Sequence, residues 1–490
     1  MGRVLVVGLD GLDYGLVERW RDRLPNVAVV MDAGVHGPLE SIVQPVTPVA
    51  WPCMVTGRNP GWLGFTDFLH RVDNSYDRYG FVHSGLVTLP TVGDVLAARG
   101  KRVLWLGVPI GYPPKPLANG VSLACFMAPS ADAAIVEPRR LQQHVLASTS
   151  SPFLVDVTAE HEVPRTGMTG LRDAIRELDR QRFDVALNLV TTRPWDLTFM
   201  VCMGTDRIAH YFMRYLDPAH PRHVADAVLG RAIEEHYAYC DERLGELVAA
   251  VGDDTTVIVV SDHGLQSLHG KVNLNDWLLD AGYLVTTGSP PSTPTPLRDA
   301  GVDWGRTRAW ARGYGGQIHL NVRGRDPDGC VDPGDVPALA DDIASGLQRL
   351  RGPAGDALAV DVIARDDVHH GPRTTFEPDL FVQVEGLRYT SSDSLGHGEH
   401  VSLPSEDAFD MGAHAPAGFF AMSGRGVEPL GRFAALDILD VAPTILELLD
   451  AGDAAGGLDG EAIRGSDDRP VYSREDELAL TSRLRALYLE

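Results

Sequence analysis

The fold prediction starts from the stretch Val4-Leu5-Val6-Val7-Gly8-Leu9-Asp10-Gly11, in which an apolar, β-branched run ends in a carboxylate and a glycine. A short run of this kind is typical of a strand buried on both faces of a parallel sheet. Three further runs share this composition: 103–107, 197–201 and 257–260. Segments with helical periodicity lie between them, including 91–99 and 225–251. The alternation predicts an α/β fold with a central, mostly parallel sheet flanked by helices.

The second half of the chain carries signs of an inserted unit. Residues 286–302 are predicted to form a linker, because their first part is rich in Ser, Thr and Pro. Strands are expected in 307–322 and 380–384, so 303–389 is predicted to be an inserted α+β subdomain. The main domain then comprises 1–285 and 390–490. Near its end, Ser473 and Asp476 resemble a capping box, which predicts a C-terminal helix docked on this domain.

Charge and cysteine content narrow the class of protein. The 490 residues carry a formal net charge of −24. A protein that binds the nucleic-acid backbone usually has a positively charged surface instead. No stretch is apolar over the length of a membrane span, and the first apolar run is too short for a signal peptide. We therefore expect a soluble, cytoplasmic protein without a nucleic-acid scaffold role. Reduced thiols fit that compartment, since the cysteines are scattered without a C-x-x-C pair: Cys53, Cys125, Cys202, Cys240 and Cys330.

Three acidic residues fall just beyond predicted strands, where α/β folds place their chemistry. Asp10 follows the first strand, Asp206 follows 197–201, and Asp262 follows 257–260. His263 is adjacent to the last of these, and His210 comes four residues after Asp206. If a helix starts there, positions i and i+4 share a face and reach one metal ion. Carboxylate and imidazole ligands without thiolates suit Zn²⁺ or Mn²⁺.

A threonine between two prolines is the candidate nucleophile. In the stretch 45–51, Thr47 is expected in a loop whose hydroxyl points into the same cleft. The alternative is a rigid turn that needs no function. Beside a metal site the hydroxyl gains a role, because coordination lowers its pKa and turns it into a nucleophile.

Taken in order, these residues resemble the alkaline phosphatase superfamily, in its type I phosphodiesterase and nucleotide pyrophosphatase branch. The resemblance also includes Thr56-Gly57 and Gly412-Ala413-His414. It implies an alkaline-phosphatase-like α/β sandwich, with the main domain catalytic and two zinc ions about 4 Å apart. One ion would be held by Asp10, Thr47, Asp262 and His263. The other would be held by Asp206, His210 and His414, with His397 and His400 as competitors for the last position.

The implied activity is hydrolysis of phosphoric esters through a phosphothreonine intermediate on Thr47. The cofactors would be two divalent ions, Zn²⁺ or alternatively Mn²⁺, and the partner a small phosphorylated substrate such as a nucleotide. A phosphodiesterase or nucleotide pyrophosphatase is the leading prediction. The alternatives are a phosphomonoesterase, a phosphonate hydrolase, a phosphosugar mutase and a catalytically silent binding protein. Thr47 argues against a sulfatase, whose nucleophile derives from Cys or Ser.

Other residues near the predicted site allow two interpretations. Phe68 falls near the position where nucleotide pyrophosphatases carry an asparagine donor, so the choice between diester and monoester stays open. Aromatic side chains either stack on a nucleobase or pack the walls of the cleft: Trp51, Trp62, Phe65, Phe68, Tyr211 and Phe212. Three arginines are each expected to be a surface or a salt-bridge residue: Arg58, Arg78 and Arg207.

Overall fold

An eleven-stranded sheet forms the centre of the protein. The structure is a computed structural model, and it describes residues 2–464 and the strand Val471–Tyr472. The predicted C-terminal helix after Ser473 lies outside the described residues. From edge to edge the strands are Val471–Tyr472, Gly431–Phe433, Gly34–Glu40, Ala417–Ser423, Thr255–Val260, Arg3–Leu9, Leu197–Cys202, Val103–Leu106, Gly120–Leu123 and Val136–Glu137. The eleventh, Leu436–Asp437, pairs with Gly34–Glu40.

Three parallel strands form the middle of this sheet. Arg3–Leu9 pairs in parallel with Leu197–Cys202 on one side and with Thr255–Val260 on the other. Every residue of the two flanking strands is buried, as predicted from their β-branched composition. Because the three strands run in the same direction, their carboxyl ends lie together at one edge. The predicted fold class, a mostly parallel sheet flanked by helices, is confirmed.

Helices cover both faces of the sheet. The helix predicted at 91–99 is Val92–Ala98, and Thr91 and Asp94 form its capping box. The helix predicted at 225–251 starts later, at Ala232, after a short 3₁₀ turn. The helices are Tyr14–Arg19, Pro25–Asp32, Thr47–Thr56, Pro60–Leu63, Val92–Ala98, Gln142–Leu146, Ala159–Thr192 (interrupted at Gly167), Gly204–Leu216, Ala232–Val251, Leu274–Asp280, Val336–Leu347, Arg365–Val368 and Val441–Leu448. Over the described ranges, no helix has both the length and the apolarity needed to cross a membrane.

A second, antiparallel sheet builds the extra subdomain. Its strands, in order, are Ala309–Arg312, Gln317–Leu320, Leu380–Val384 and Val360–Ala364. The strand predicted at 380–384 is present, whereas 307–322 folds as a hairpin of two strands. Helix Val336–Leu347 contributes Leu339, Ile343 and Leu347, spaced four apart, to a separate apolar core. Residues on both sides of 303–389 join that core, including Trp277 and Leu395.

Small sheets arrange the loops around the carboxyl edge of the central sheet. Gly264–Ser267 pairs with Gly412–Ala415, which is the contact that concerns the site below. The remaining short strands are Leu69–Arg71 with Tyr79–Phe81, Gly270–Val272 with Tyr389–Ser391 and Val401–Ser402, and Thr295–Pro296 with Ser394–Leu395. Apart from that last pair, the predicted linker 286–302 has little regular structure.

Candidate metal centre

The structure brings three carboxylates together at the edge where the central strands end. Asp10 directly follows Arg3–Leu9, and Asp262 comes two residues after Thr255–Val260. Asp206 lies in the first turn of Gly204–Leu216, the helix that follows the third strand. All three are almost completely buried, with at most 1% of their surface exposed. Buried acidic side chains in contact need a compensating cation or a proton.

The first group combines Asp10, Asp262 and His263, whose candidate ligand atoms lie within 4.8 Å of one another. His263 Nε2 is 3.3 Å from Asp262 Oδ2 and 3.6 Å from Asp10 Oδ1. The hydroxyl of Thr47 is 3.3 Å from the same Nε2 atom. The four residues predicted to hold one ion therefore surround a common point.

The second group combines Asp206, His210 and His414 within the same 4.8 Å limit. His210 lies one helical turn after Asp206, with its Nε2 3.2 Å from Asp206 Oδ1. His414 Nε2 is 3.7 Å from that same oxygen. Its strand pairs with Gly264–Ser267, opposite Leu265, and so places it beside His263. The close approach also depends on Gly412, where a Cβ atom would lie 2.8 Å from the His210 Cα.

The two competing histidines have other partners. His397 Nε2 is bonded to the hydroxyls of Ser392 and Ser394. His400 Nε2 is paired with Asp280 at 2.8 Å, on a more exposed surface. Of the three candidates, the structure therefore brings only His414 to the acidic cluster.

The carboxylate oxygens fit a metal site. One oxygen on each acid is buried without a hydrogen-bond partner: Asp10 Oδ1, Asp206 Oδ1 and Asp262 Oδ2. The opposite oxygens of Asp10 and Asp206 accept hydrogen bonds from Trp51 and Arg207, each at 2.7 Å. A buried anionic oxygen without a donor is costly, so three of them facing one another indicate a place for cations.

The tautomers of the three histidines also fit a metal site. Each uses its Nδ1–H group elsewhere: His263 donates to the Gly264 carbonyl, His210 to Asp410, and His414 to the Pro45 carbonyl. This directs the three Nε2 atoms into the site, the usual arrangement of metal-ligating histidine. The Nε2 atoms of His210 and His414 are 3.1 Å apart, a contact that a proton or a cation must bridge.

The pKa values of the three carboxyl groups are shifted in different directions. Burial raises the pKa of Asp10 and of Asp262 well above the usual range, and nearby carboxylates raise both further. Burial acts the same way on Asp206, but the charges of His210 and Arg207 outweigh it and hold the pKa of that carboxyl well below its ordinary value. Burial lowers the pKa of His414 to about 4, and His210 adds to the decrease. Burial lowers the pKa of His210, but the carboxylates of Asp206 and Asp410 outweigh it and raise that pKa well above the usual range, so this ring carries a proton that a bound cation would displace. His263 and His414, whose pKa values are lowered, are neutral imidazoles of the kind that divalent ions prefer beside carboxylates.

Thr47 lies on a helix, and the predicted loop is wrong at this point. Thr47–Thr56 is helical from its first residue, with Val46 as the N-cap. Pro48 occupies the first turn, where its missing N–H group costs no hydrogen bond and its fixed φ favours helix initiation. Thr47 is only 3% exposed, so its hydroxyl is held at the buried face next to His263.

Three residues that support the ligands were not predicted in that role. Asp410 Oδ1 accepts from His210 at 2.8 Å, and the indole of Trp51 donates to Asp10. Arg207, expected as a surface or salt-bridge residue, is partly buried and takes the salt-bridge role, joining Asp206 to Asp156 through bonds of 2.7 and 2.9 Å. The position of Arg207 directly after Asp206 is the sequence signal that indicates this role. The other two arginines do form salt bridges, Arg58 with Asp459 and Arg78 with Asp73.

A cavity of about 470 Å³ opens between residues 64–79 of the main domain and the second sheet. Phe65 and Phe68 line one wall, and Tyr79, with Arg312 stacked 3.5 Å above its ring, lines the other. Trp51 and Phe212 are instead fully buried and pack the core, and Tyr211 is nearly so. The predicted aromatic set therefore divides between core packing and the cavity wall.

Tyr314 lies between the cavity and the two Asp/His groups described above, which together are called the metal-ligand cluster. It lines the cavity, and its ring centroid is 5.8 Å from that of His414. Burial raises the pKa of its hydroxyl, and the carboxylates of Asp410 and Asp206 raise it further. The phenol therefore keeps its proton and is able to donate it in a hydrogen bond to a nearby acceptor.

A third buried cluster, Asp179, His236 and Cys240, has ligand-like spacing but is occupied by protein contacts. Asp179 Oδ1 accepts from the backbone N–H of Gly204 at 2.9 Å, and Oδ2 pairs with His236 at 3.0 Å. These bonds fix the start of the helix that carries Asp206 and His210. The cluster therefore positions the metal-ligand helix.

Comparisons with known proteins agree with this architecture. The profile of the family described as type I phosphodiesterase / nucleotide pyrophosphatase matches residues 4–412. No curated protein shows significant sequence similarity to the chain. Among solved structures, phosphonoacetate hydrolase from Sinorhizobium meliloti 1021, in complex with phosphonoformate, is 15% identical with a TM-score of 0.56, covering 92% of this chain and 96% of that one. Human ectonucleotide pyrophosphatase / phosphodiesterase 5 is 14% identical with a TM-score of 0.48, covering 95% and 97% of the two chains.

The murine form of that second protein, an inactive variant in complex with AMP, is 13% identical with a TM-score of 0.47, covering 92% of this chain and 95% of that one. At 15% identity the likeness to phosphonoacetate hydrolase concerns the fold, whereas the family profile spans most of the chain in sequence. Together with the buried carboxylate and imidazole groups of the site, the family profile identifies the chain as a metal-dependent phosphoric ester hydrolase that belongs to the type I phosphodiesterase / nucleotide pyrophosphatase family.

Proposed function

We propose that the protein hydrolyses small phosphodiesters or nucleotide pyrophosphates, with Thr47 as nucleophile and two divalent ions, Zn²⁺ first among them, as cofactors. The observation that carries this proposal is the convergence of Thr47 Oγ1 and two Asp/His groups: the hydroxyl is 3.3 Å from His263 Nε2, and His263 stacks on His414 of the second group. One group would hold an ion with Asp10, Asp262 and His263, and the other with Asp206, His210 and His414. Bound ions would lower the pKa of a hydroxyl and of water and stabilise charge on phosphoryl oxygens.

The residues of the chain support a two-step displacement at phosphorus. In the first step Thr47 Oγ forms a bond to phosphorus while the bond to the leaving alcohol or phosphate breaks. The threonine proton passes to solvent, and the leaving oxygen takes up a proton. In the second step water attacks the phosphothreonine, the Oγ–P bond breaks, and Thr47 regains its proton. The helix start at Thr47 holds the nucleophile in one orientation, which favours in-line attack on opposite faces in the two steps.

The cavity beside the site favours diesters over monoesters. A volume of about 470 Å³ next to Phe68 and Tyr314 is sufficient for a second esterified group of nucleoside size. A monoester or a short phosphonate would leave most of that space to water. This argument supports a diester or pyrophosphate substrate and leaves the identity of the esterified group to be measured.

The decisive experiment compares zinc-loaded protein on bis-p-nitrophenyl phosphate and p-nitrophenyl phosphate, with Thr47→Ala as control. We expect faster cleavage of the diester and loss of both activities in the variant. Faster cleavage of the monoester would make the protein a phosphatase, and cleavage of phosphonoacetate alone would make it a phosphonate hydrolase. Failure on all three substrates, with two metals bound, would reject the proposed hydrolysis in favour of a mutase or a silent binding protein.

We also propose that the protein works in the cytosol. All five cysteines are free thiols in the structure, and four of them are buried. An oxidising compartment would expose a chain with unpaired thiols to mixed disulfides during folding. Fractionation of the native host, with the protein followed by antibody, tests this assignment.

A further inference from the structure

The hydroxyl of Tyr314 is buried without a hydrogen-bond partner, at the boundary between the metal-ligand cluster and the cavity. Its ring is tilted by 49° to that of His414, with the centroids 5.8 Å apart. A buried donor left unpaired is destabilising, so such groups in native proteins call for an explanation. A ligand that brings an acceptor to this point supplies one.

The loop that carries Tyr314 is tied to the segments on either side of the nucleophile. The Tyr314 backbone N–H donates to Asp67 Oδ2 at 2.9 Å, and its carbonyl accepts from the Ser391 N–H at 2.8 Å. The side chain of Gln44, three residues before Thr47, donates to the Gly316 carbonyl at 2.9 Å. These contacts hold the loop from three directions and fix where the tyrosine enters the site.

The fold of the loop requires its glycines. Gly316 has φ +82°, in the left-handed region, and a Cβ atom there would lie 2.7 Å from the Val382 carbonyl oxygen. The hairpin between Ala309–Arg312 and Gln317–Leu320 therefore turns tightly against the neighbouring strand and projects Tyr314 toward the main domain. The second sheet thus contributes a side chain to a site whose metal ligands all come from the main domain.

We propose that Tyr314 contacts the substrate, donating a hydrogen bond from its hydroxyl to a phosphoryl oxygen of an ester bound at the metal centre. This inference rests on the proposed function, and it concerns binding geometry only, since the phenol keeps its proton. The phosphoryl oxygen would satisfy the unpaired donor, while the esterified group extends past Tyr314 into the cavity. A hydrogen bond to a charged oxygen strengthens as negative charge builds in the transition state.

The test is Tyr314→Phe, which removes only the hydroxyl. We expect kcat/KM for bis-p-nitrophenyl phosphate to fall about 10- to 100-fold, the range of one hydrogen bond to a charged group. We expect the bound metal content to stay the same and Tm to stay equal or rise, since the hydroxyl has no protein partner to lose. A purely structural role for the hydroxyl would lower Tm instead.

The matched control is Tyr283→Phe, which removes a hydroxyl that donates to Asp342 at 2.6 Å, where Tyr283 joins the separate apolar core of the second sheet. Its kcat/KM should equal that of the wild type. Wild-type kcat/KM in Tyr314→Phe, or a lower Tm with loss of metal, overturns the inference.

A second readout separates this inference from the proposed function. Inorganic phosphate binding to the metal-loaded protein is measured by calorimetry in wild type and Tyr314→Phe, without any turnover. Weaker binding in the variant supports the contact even if no ester is cleaved, and equal binding overturns it even if esters are cleaved. Failure of the wild type to hydrolyse esters would count against the proposed function alone.

Discussion

The imidazole rings of His263 and His414 stack face to face, with centroids 3.7 Å apart and planes 17° from parallel. The two residues are 151 positions apart in sequence and belong to different Asp/His groups. Burial lowers the pKa of both rings, and their mutual proximity lowers the pKa of His263 further. The stack therefore favours two neutral rings side by side, each presenting an Nε2 lone pair, which lets two cations bind close together.

Thr47→Ala should abolish turnover while leaving the metal ions in place. The substitution removes the hydroxyl together with the γ-methyl group, and the Asp and His ligands remain. We expect kcat to fall by at least about a thousandfold, because covalent catalysis depends on this oxygen. Stopped assays on bis-p-nitrophenyl phosphate with metal analysis by mass spectrometry measure both quantities. Thr47→Ser keeps a hydroxyl and should retain part of the activity; full activity in Thr47→Ala would reject Thr47 as nucleophile.

Asp206→Ala should lose one of the two metal ions and keep the other. Asp206 Oδ1 contacts both His210 and His414, so its removal empties the second group but leaves Asp10, Asp262 and His263 intact. Metal content per chain after dialysis reports the loss directly. Retention of two ions would overturn the assignment, as would loss of both ions in a variant that remains folded by circular dichroism.

Asp410→Asn should weaken metal binding without removing a ligand. The carboxylate holds the His210 Nδ1–H at 2.8 Å, and loss of such a supporting bond typically costs 10- to 100-fold in metal affinity. Competition with a chelator of known affinity measures the change. The exposed neighbour Asp407, changed to Asn, is the matched control, and equal affinities in the two variants would show that Asp410 does not orient His210.

Asp179→Ala should destabilise the fold. It leaves the Gly204 N–H and the His236 ring without their buried partner, and breaking a buried pair of this kind costs about 3 kcal/mol. Urea unfolding gives the free energy of unfolding. Asp173→Ala, at an exposed position of the same helix, should change it by less than about 0.5 kcal/mol. A stability equal to wild type for Asp179→Ala would mean that the cluster does not anchor the metal-ligand helix.

His36 should make stability fall as pH decreases. Burial holds the pKa of this histidine at about 3, whereas the unfolded chain has the ordinary value near 6.5. Between these values the unfolded state binds a proton that the folded state does not, so the stabilising contribution is present above about pH 6.5 and is lost toward pH 3. The limiting slope is about 1.4 kcal/mol per pH unit.

His36→Gln removes that proton linkage. The difference in unfolding free energy between wild type and variant should shrink with falling pH, in urea titrations at pH 7, 6 and 5. The exposed His144, changed to Gln, should show a constant difference. A constant difference for His36→Gln as well would contradict a neutral, buried His36.

Local sequence predicts the strands and the identity of the groups at their ends. The runs before Asp10, Asp206 and Asp262 are strands because β-branched residues suit a sheet buried on both faces. The residue following a parallel strand lies at the carboxyl edge whatever the rest of the chain does. For that reason, acids placed there could be predicted to meet.

Thr47 marks where local reasoning fails. Two flanking prolines suggest a turn, yet Pro48 fits the first turn of a helix, and the packing of that helix decides between the two. Arg207 is a second case: its local sequence allows a surface or a salt-bridge position, and the place of Asp156 in the folded chain decides that it joins Asp156 to Asp206.

By itself, then, the sequence determined the α/β alternation, the types of candidate ligand and their strand-end positions, because these depend on side-chain chemistry and on the preference of β-branched residues for strands buried on both faces. The tertiary structure alone decided the rest: the pairing of Gly264–Ser267 with Gly412–Ala415 that stacks His414 on His263, the support of His210 by Asp410, and the approach of Tyr314 from the second sheet. Each of these contacts joins residues a hundred or more positions apart. Such contacts follow from burial and packing of the whole chain, which no local pattern encodes.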